Sequence, residues 1–259
     1  LSYSLDMSKT VLILMPDSLE NAMGGMGEQA RQLLKAWSNK DIKFVIIGAP
    51  RQERKSTPTY EYIPVEVSRL PVVTIEPIIG TILNQAELLY TCWKNNIKPD
   101  LVHSFDWSTF QAGQLIAKYF QVPWIVTIQL SIDKMAETTF DEITPYQHYP
   151  FETARAIEMG GLINAAKILQ VSESYARKFP RVFRNKTIVL ENGIDQAGWV
   201  QKSKFPFPGK NRLKLVYLGR YAHMKNTPNL IKIDLPEGVD LIFAGKPDGG
   251  DVGLFDNML

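Results

Sequence analysis

Arg220 and Lys225 stand five residues apart just after a short apolar run, in the stretch LVYLGRYAHMKN that begins at Leu215. Leu213, Leu215, Val216, Tyr217 and Leu218 have the composition of a buried strand that stops at Gly219, and 225–232 has the length and polarity of the helix that follows. Open α/β sheets hold ligands beyond the carboxyl ends of their strands, so both cations are expected to face that crevice. A planar guanidinium fork beside a mobile ammonium suits a diphosphate better than a lone carboxylate. On spacing alone, a solvated basic turn is the other reading.

A second group of candidates lies near the amino terminus. The apolar run Val11 to Met15 has strand length and is closed by Pro16; Gly24, Gly25 and Gly27 then open a helix whose apolar positions are Ala30, Leu33, Leu34 and Trp37. Glycines at such a junction let a ligand approach the backbone, and free helix N–H groups favour negative charge. The spacing is not that of a dinucleotide fingerprint, and tight helix packing is the alternative use for the glycines. Further on, the strand Leu101 to Ser104 delivers Phe105, Asp106 and Trp107, and the strand Val122 to Ile128 delivers Gln129. Gln129 can hydrogen-bond a ligand hydroxyl but cannot supply a proton near neutral pH.

These residues carry a resemblance to the retaining glycosyltransferases of the GT-B fold, in particular the glycogen and starch synthases and the large family four of sugar-nucleotide transferases. Gly219 and Arg220 with Lys225 resemble their GR-x4-K element, whose cations grip the donor diphosphate. Gly24 to Glu28 is similar to their GGLG-[DE] loop over the donor and acceptor sugars, with Ala22 where those synthases usually carry a lysine. His103, Asp106 and Trp107 match a V-H-x-H-D-W-H segment, while Phe105 and Ser108 stand at its other two histidines. Gln129 takes the place of the histidine in a Thr-x-His element. The longest continuous similarity is EMGGLINAAKILQVSESYARKF, 158–179, and Asn192, Gly193, Ile194 and Asp195 match the N-G-[IV]-D at the crossing between the family's two domains. Asn-Gly is also a turn signal in its own right.

The remaining elements must position these groups. Phe44 to Ile47 is a strand ending at Gly48, 51–59 a loop, and Tyr60 to Val67 a strand in a more exposed place. Ile79, Ile82, Leu83, Ala86, Leu89, Tyr90 and Trp93 keep a helical period that buries Cys92. A helix runs through Leu115, Ile116, Tyr119 and Phe120. The polar, acidic and aromatic stretch 131–150 has no period and is long enough for a functional loop near the cleft, with His148 read as a surface histidine. A helix with Gly160 and Gly161 inside it covers 151–169, a strand follows over 167–171, Ser172 caps the next helix, and Lys186 to Leu190 is the last strand of the first domain. Val239 to Ala244 is a second strand of a new sheet, ending at Gly245.

The fold expected is therefore α/β of GT-B type: a Rossmann-like acceptor-side domain over 7–195, a Pro/Gly-bearing linker over 196–211, and the opening of a nucleotide-sugar-binding domain over 212–259. Residues 1–6 precede a natural-looking start at Met7 and are left out of the fold. The family's E-x7-E element for the donor ribose and sugar is not in the sequence, which reads as a piece of a longer transferase.

Composition narrows the function classes. With 29 Lys and Arg against 27 Asp and Glu, the net charge of +2 gives no electrostatic case for a nucleic-acid partner. A single cysteine excludes an internal disulfide, and no Cys/His cluster has ligand spacing, so no metal is expected and a reducing cytoplasm is the simplest home. No apolar run approaches membrane-spanning length. Cations on either side of the linker, among them Arg181, Arg184, Lys202 and Lys204, are compatible with peripheral contact to anionic lipid, a solvated face being the simpler reading.

Arg220 and Lys225 are thus the expected catalytic cations, neutralising a departing diphosphate. Gly24, Gly25, Gly27 and Gly245 join them in donor binding, and Glu28, Asp106 and Gln129 are the sugar or acceptor contacts. The expected substrate is a nucleotide diphosphate sugar, with no cofactor, and the expected reaction is transfer of a hexose to a glycan or other acceptor. A sugar-nucleotide epimerase and a non-catalytic glycan or nucleotide binding module are the alternatives.

Overall fold

The structure, a computed structural model, describes residues 9–20, 25–37, 41–49, 52–65, 77–129, 131–132, 145–193, 213–221 and 225–245, with the backbone alone for 77–83 and 145–151. The described elements fall into two compact units.

The first unit is built on an eight-stranded sheet of order β3-β4-β2-β1-β5-β6-β7-β8. Its strands are β1 (Lys9–Leu14), β2 (Ile42–Gly48), β3 (Lys55–Ser56), β4 (Tyr60–Pro64), β5 (Leu101–Phe105), β6 (Trp124–Ile128), β7 (Lys167–Gln170) and β8 (Thr187–Val189). All pairings are parallel except that of β3 with β4. Continuous apolar runs such as VLIL suit this arrangement, because a parallel sheet is covered on both faces. Leu12 and Leu14 enter one core with Val102, Val126, Ile128 and Ile168; Ile13 and Met15 enter the other with Ile46, Tyr62 and Phe105.

Helix α1 (Gly25–Ala36) contributes Ala30 and Leu34 to the second core. Helices α2 (Pro77–Lys94), α3 (Phe110–Phe120) and α4 (Pro145–Asn164) contribute Leu88, Cys92, Phe110, Ile116, Ile157 and Leu162 to the first. Two single-turn helices, α5 (Glu173–Ala176) and α6 (Arg181–Arg184), follow β7, and Ser172 caps α5 by accepting from the Tyr175 amide. The chain winds from β1 outward to β4 and returns to β5, so the order reverses between β1 and β5. That reversal opens the crevice where ligands of such sheets bind.

The second unit has β9 (Leu213–Leu218) and β10 (Val239–Ala244) paired in parallel, with the short helix α7 (Thr227–Ile231) between them in sequence.

Several expectations are corrected. The strand from Leu213 is not buried: Leu213, Leu215, Val216 and Leu218 are 47–75% exposed, because apolar composition marks a strand but not the layer that would cover it. Conversely β4 is no exposed strand, since Tyr62 and Ile63 are buried, and it ends at Pro64. The loop 51–59 holds β3, a two-residue edge strand without an apolar signature. Helix α4 starts at Pro145, inside the stretch expected to be loop, and ends at Asn164, short of 169; proline fits a first helical turn, where its missing N–H costs nothing. Helix α7 begins at Thr227, two residues after Lys225. His148, Ala22 and the linker lie outside what the structure describes.

Candidate functional site

In the first unit the site forms at the carboxyl edge of the sheet. The strand β6 ends at Ile128, so Gln129 projects beyond it and its Nε2 donates to Gln29 Oε1 of α1 at 2.7 Å. A Cβ on Gly25 would lie 3.0 Å from Gln129 Oε1, so glycine lets the start of α1 approach that amide closely. Gly25 and Gln129 are thus brought together, with Gly27 buried in the first turn of the helix. Gly24 lies outside the described residues. Glu28 is exposed and accepts from Arg31 at 2.6 and 2.9 Å and from Gln32 Nε2 at 2.7 Å. Those hydrogen bonds, from Arg31 first, hold its carboxyl below the usual range.

Asp106 follows β5 at the point where the strand order reverses. Its backbone has φ 67° and ψ 156°, a region otherwise nearly restricted to glycine, and such strain costs of the order of 1–3 kcal/mol. The surroundings fix it: its N–H donates to Thr127 O at 2.9 Å and its Oδ1 accepts from the Trp107 N–H at 2.7 Å. Burial raises its carboxyl from the ordinary 3.8 to about 6, against the lowering effect of the Trp107 hydrogen bond. A strained, half-buried carboxyl that titrates near neutrality is the kind of group found at functional sites. His103, three residues earlier within β5, is different. It is buried, within 2.7 Å of Thr127 Oγ1 and stacked on Phe105 at 4.4 Å, and burial depresses its pKa to about 3, so it stays neutral and serves packing.

Sequence reasoning missed three buried polar groups at this edge. Gln29 holds Gln129, and Gln52 Oε1 accepts from the Leu19 and Glu20 amides, both at 2.9 Å, fixing the loop after β1. Gln170 ends β7 beside Ile128 and is 1% exposed, yet neither of its amide atoms has a hydrogen-bond partner. The available signal was a glutamine directly after the apolar pair Ile168 and Leu169 and before Val171.

The second unit holds the cations. Gly219 follows β9 and donates its N–H to Ala244 O of β10 at 3.0 Å, while any Cβ on Gly245 would overlap the Gly219 carbonyl oxygen. The two strand ends therefore meet backbone to backbone. Arg220 comes next, exposed, its carbonyl accepting from Tyr217 Oη at 2.8 Å, and Tyr217 packs with Tyr221 and Phe243 at 6.4 and 5.5 Å. Lys225 is exposed ahead of α7. Arg220 and Gly245 are thus grouped by the ends of β9 and β10. Among the described residues no group of three or more His, Cys, Asp or Glu is arranged to hold a metal ion, and no helix is long and apolar enough to cross a membrane.

The model of the glycosyl transferase 4-like domain matches residues 24–193. The chain belongs to that family. As a glycosyl transferase 4-like protein it is similar to the glycogen synthase of Mycobacterium tuberculosis, 24% identical over 157 residues, which are 58% of this chain and 36% of that one. The chain thus spans about a third of the length of the curated relatives it matches. Among solved structures, sucrose-phosphate synthase from Thermosynechococcus elongatus superposes with a TM-score of 0.73 at 16% identity, over 96% of this chain and 68% of that one. The catalytic domain of starch synthase IV from Arabidopsis thaliana, bound to ADP and acarbose, gives 0.60 at 14% identity, over 97% and 71%. These likenesses establish the fold as that of the GT-B glycosyltransferases.

Proposed function

We propose that the chain supplies the acceptor-side domain and the first part of the donor-side domain of a retaining glycosyltransferase, which moves a hexose from a nucleotide diphosphate sugar to a glycan or other acceptor. The family match supports transfer chemistry. A neighbour bound to ADP and another described with UDP-2-fluoro glucose support a nucleotide-sugar donor. The observation that carries the reading is Arg220 just beyond the end of β9, beside the close meeting of Gly219 and Gly245, with Lys225 exposed further along the chain ahead of α7.

In this reading Arg220 and Lys225 neutralise the diphosphate as it leaves, which stabilises charge that develops in the transition state. Gly24, Gly25, Gly27 and Gly245 let sugar and phosphate rest against backbone. Asp106, Gln129 and Glu28 hydrogen-bond sugar hydroxyls. Gln129, with no titratable proton, positions and does not shuttle, so the acceptor hydroxyl gives its proton to the departing phosphate oxygen.

Titration calorimetry with UDP, ADP and GDP tests the donor site. One nucleotide is expected to bind, and Arg220→Ala is expected to raise its Kd about tenfold or more, as for loss of a charge-assisted contact. Equal affinity in wild type and variant would overturn the assignment.

A further inference from the structure

A groove of about 680 Å³ runs beside α1, and its walls include Glu20, Glu28, Arg31, Trp37, Thr59 and Tyr60. All of them belong to the first unit. Glu28 sits in the first turn of α1 and Trp37 just past its last, so at the helical rise the groove is about 14 Å long. It starts at Glu28, among the candidate sugar contacts, and ends where β4 begins.

Three features define what it can hold. Its length exceeds a single sugar ring. Its far end is aromatic: Trp37 is 40% exposed, edge-on to Phe44 at 5.5 Å, and Tyr60 is half-buried beside it. An amphipathic ring face of this kind gains from a flat, C–H-bearing partner. Its walls set two carboxylates, Glu20 and Glu28, against two cations, Arg31 and Lys35, with Glu28 paired to Arg31 and Glu20 to Lys55, so they offer fixed hydrogen-bonding atoms without a strong field for an ion.

The wall carrying Thr59 and Tyr60 is also held in place before any ligand arrives. Thr57 Oγ1 accepts from the Tyr60 N–H at 3.0 Å and donates to Tyr60 O at 3.0 Å, and the Thr57 N–H donates to Tyr60 O at 2.8 Å. A preorganised surface loses little entropy on binding.

We propose that this groove binds the distal units of a linear, uncharged oligosaccharide acceptor, which makes the enzyme an extender of glycan chains. The inference rests on the glycosyltransferase reading and deepens it: the reacting end of the acceptor lies by Glu28, and the units behind it follow α1 to Trp37.

Tryptophan fluorescence tests the groove directly. Malto-, cello- and manno-oligosaccharides, each from disaccharide to heptasaccharide, are titrated into the full chain. One series is expected to bind with affinity that rises with length by about tenfold and then levels, with a fluorescence change that disappears in Trp37→Phe and persists in Trp93→Phe. Trp37→Ala, a change at the far end of the groove, is expected to weaken the long oligosaccharides and leave the disaccharide unaffected. Binding by none of the three series, affinity independent of length, or a signal carried by Trp93 would each overturn the proposal. The nucleotide titration on the wild-type protein, read separately, tells failure of this groove from failure of the transferase reading.

Discussion

The strands β1 and β9 have nearly the same apolar content and opposite surroundings. In β1, Leu12 and Leu14 are fully buried and Ile13 is 5% exposed, because helices cover both faces of the sheet. In β9, Leu213 is 58% and Leu218 75% exposed, and among the described residues its sheet has two strands. Strand formation follows from local sequence, whereas the stabilisation a strand supplies follows from the layers packed on it. About 25 cal/mol per Å² of buried apolar surface accrues to β1 and little of it to β9.

Truncating core side chains sharpens that contrast most. Leu12→Ala and Ile168→Ala are expected to cost about 2–5 kcal/mol each, and Leu218→Ala under about 0.5 kcal/mol, in urea melts followed by circular dichroism. Equal costs on the two strands would mean that β9 is covered in solution and would break the comparison.

Adding atoms tests the same packing from the other side. A Cβ on Gly161 would overlap the Phe110 ring, while one on Gly160, its neighbour in α4, meets nothing within 4 Å. Gly161→Ala is therefore expected to lose about 1–3 kcal/mol through overpacking, and Gly160→Ala to gain up to about 1 kcal/mol through helix propensity. Thermal melts of the two variants would separate them in sign.

The candidate residues of the two units differ in burial as the strands do, and pH reads that difference. The carboxyl of Asp106 is raised to about 6 from 3.8 by burial, so between those values the folded chain holds a proton that the unfolded chain has lost. Its contribution to stability is greatest below about pH 4, falls as pH rises to about 6, and is flat above. The fall is of the order of 2–3 kcal/mol. Asp106→Asn keeps an acceptor for the Trp107 N–H and tolerates a positive φ better than most residues. It is expected to abolish that slope, so the difference between wild type and variant in urea melts from pH 4 to 8 isolates this group. A difference that does not vary with pH would place Asp106 in solvent.

Much of the frame was legible in the sequence. The strands β1 and β2 announce themselves as apolar runs closed by Pro16 and Gly48, and the period from Ile79 to Trp93 falls within α2. What stayed hidden depends on distant partners. Lys55 and Ser56 become a strand only because β4 offers its edge, Pro145 opens a helix that its polar neighbours do not suggest, and β9 looks buried until its covering layers are sought. At the site, the positions of Asp106 and Gln129 after their strands could be read directly. The left-handed backbone and raised carboxyl of Asp106, and the Gln29 partner a hundred residues from Gln129, arise only from folding.

The most direct test of the donor site is the set of backbone amide shifts recorded by NMR as UDP, ADP and GDP are added in turn. One nucleotide is expected to move the amides of Gly219, Arg220, Lys225 and Gly245, with smaller changes in the amides of β1 and β2. Shifts from every nucleotide that leave those four amides unmoved would contradict a diphosphate held by Arg220 and Lys225.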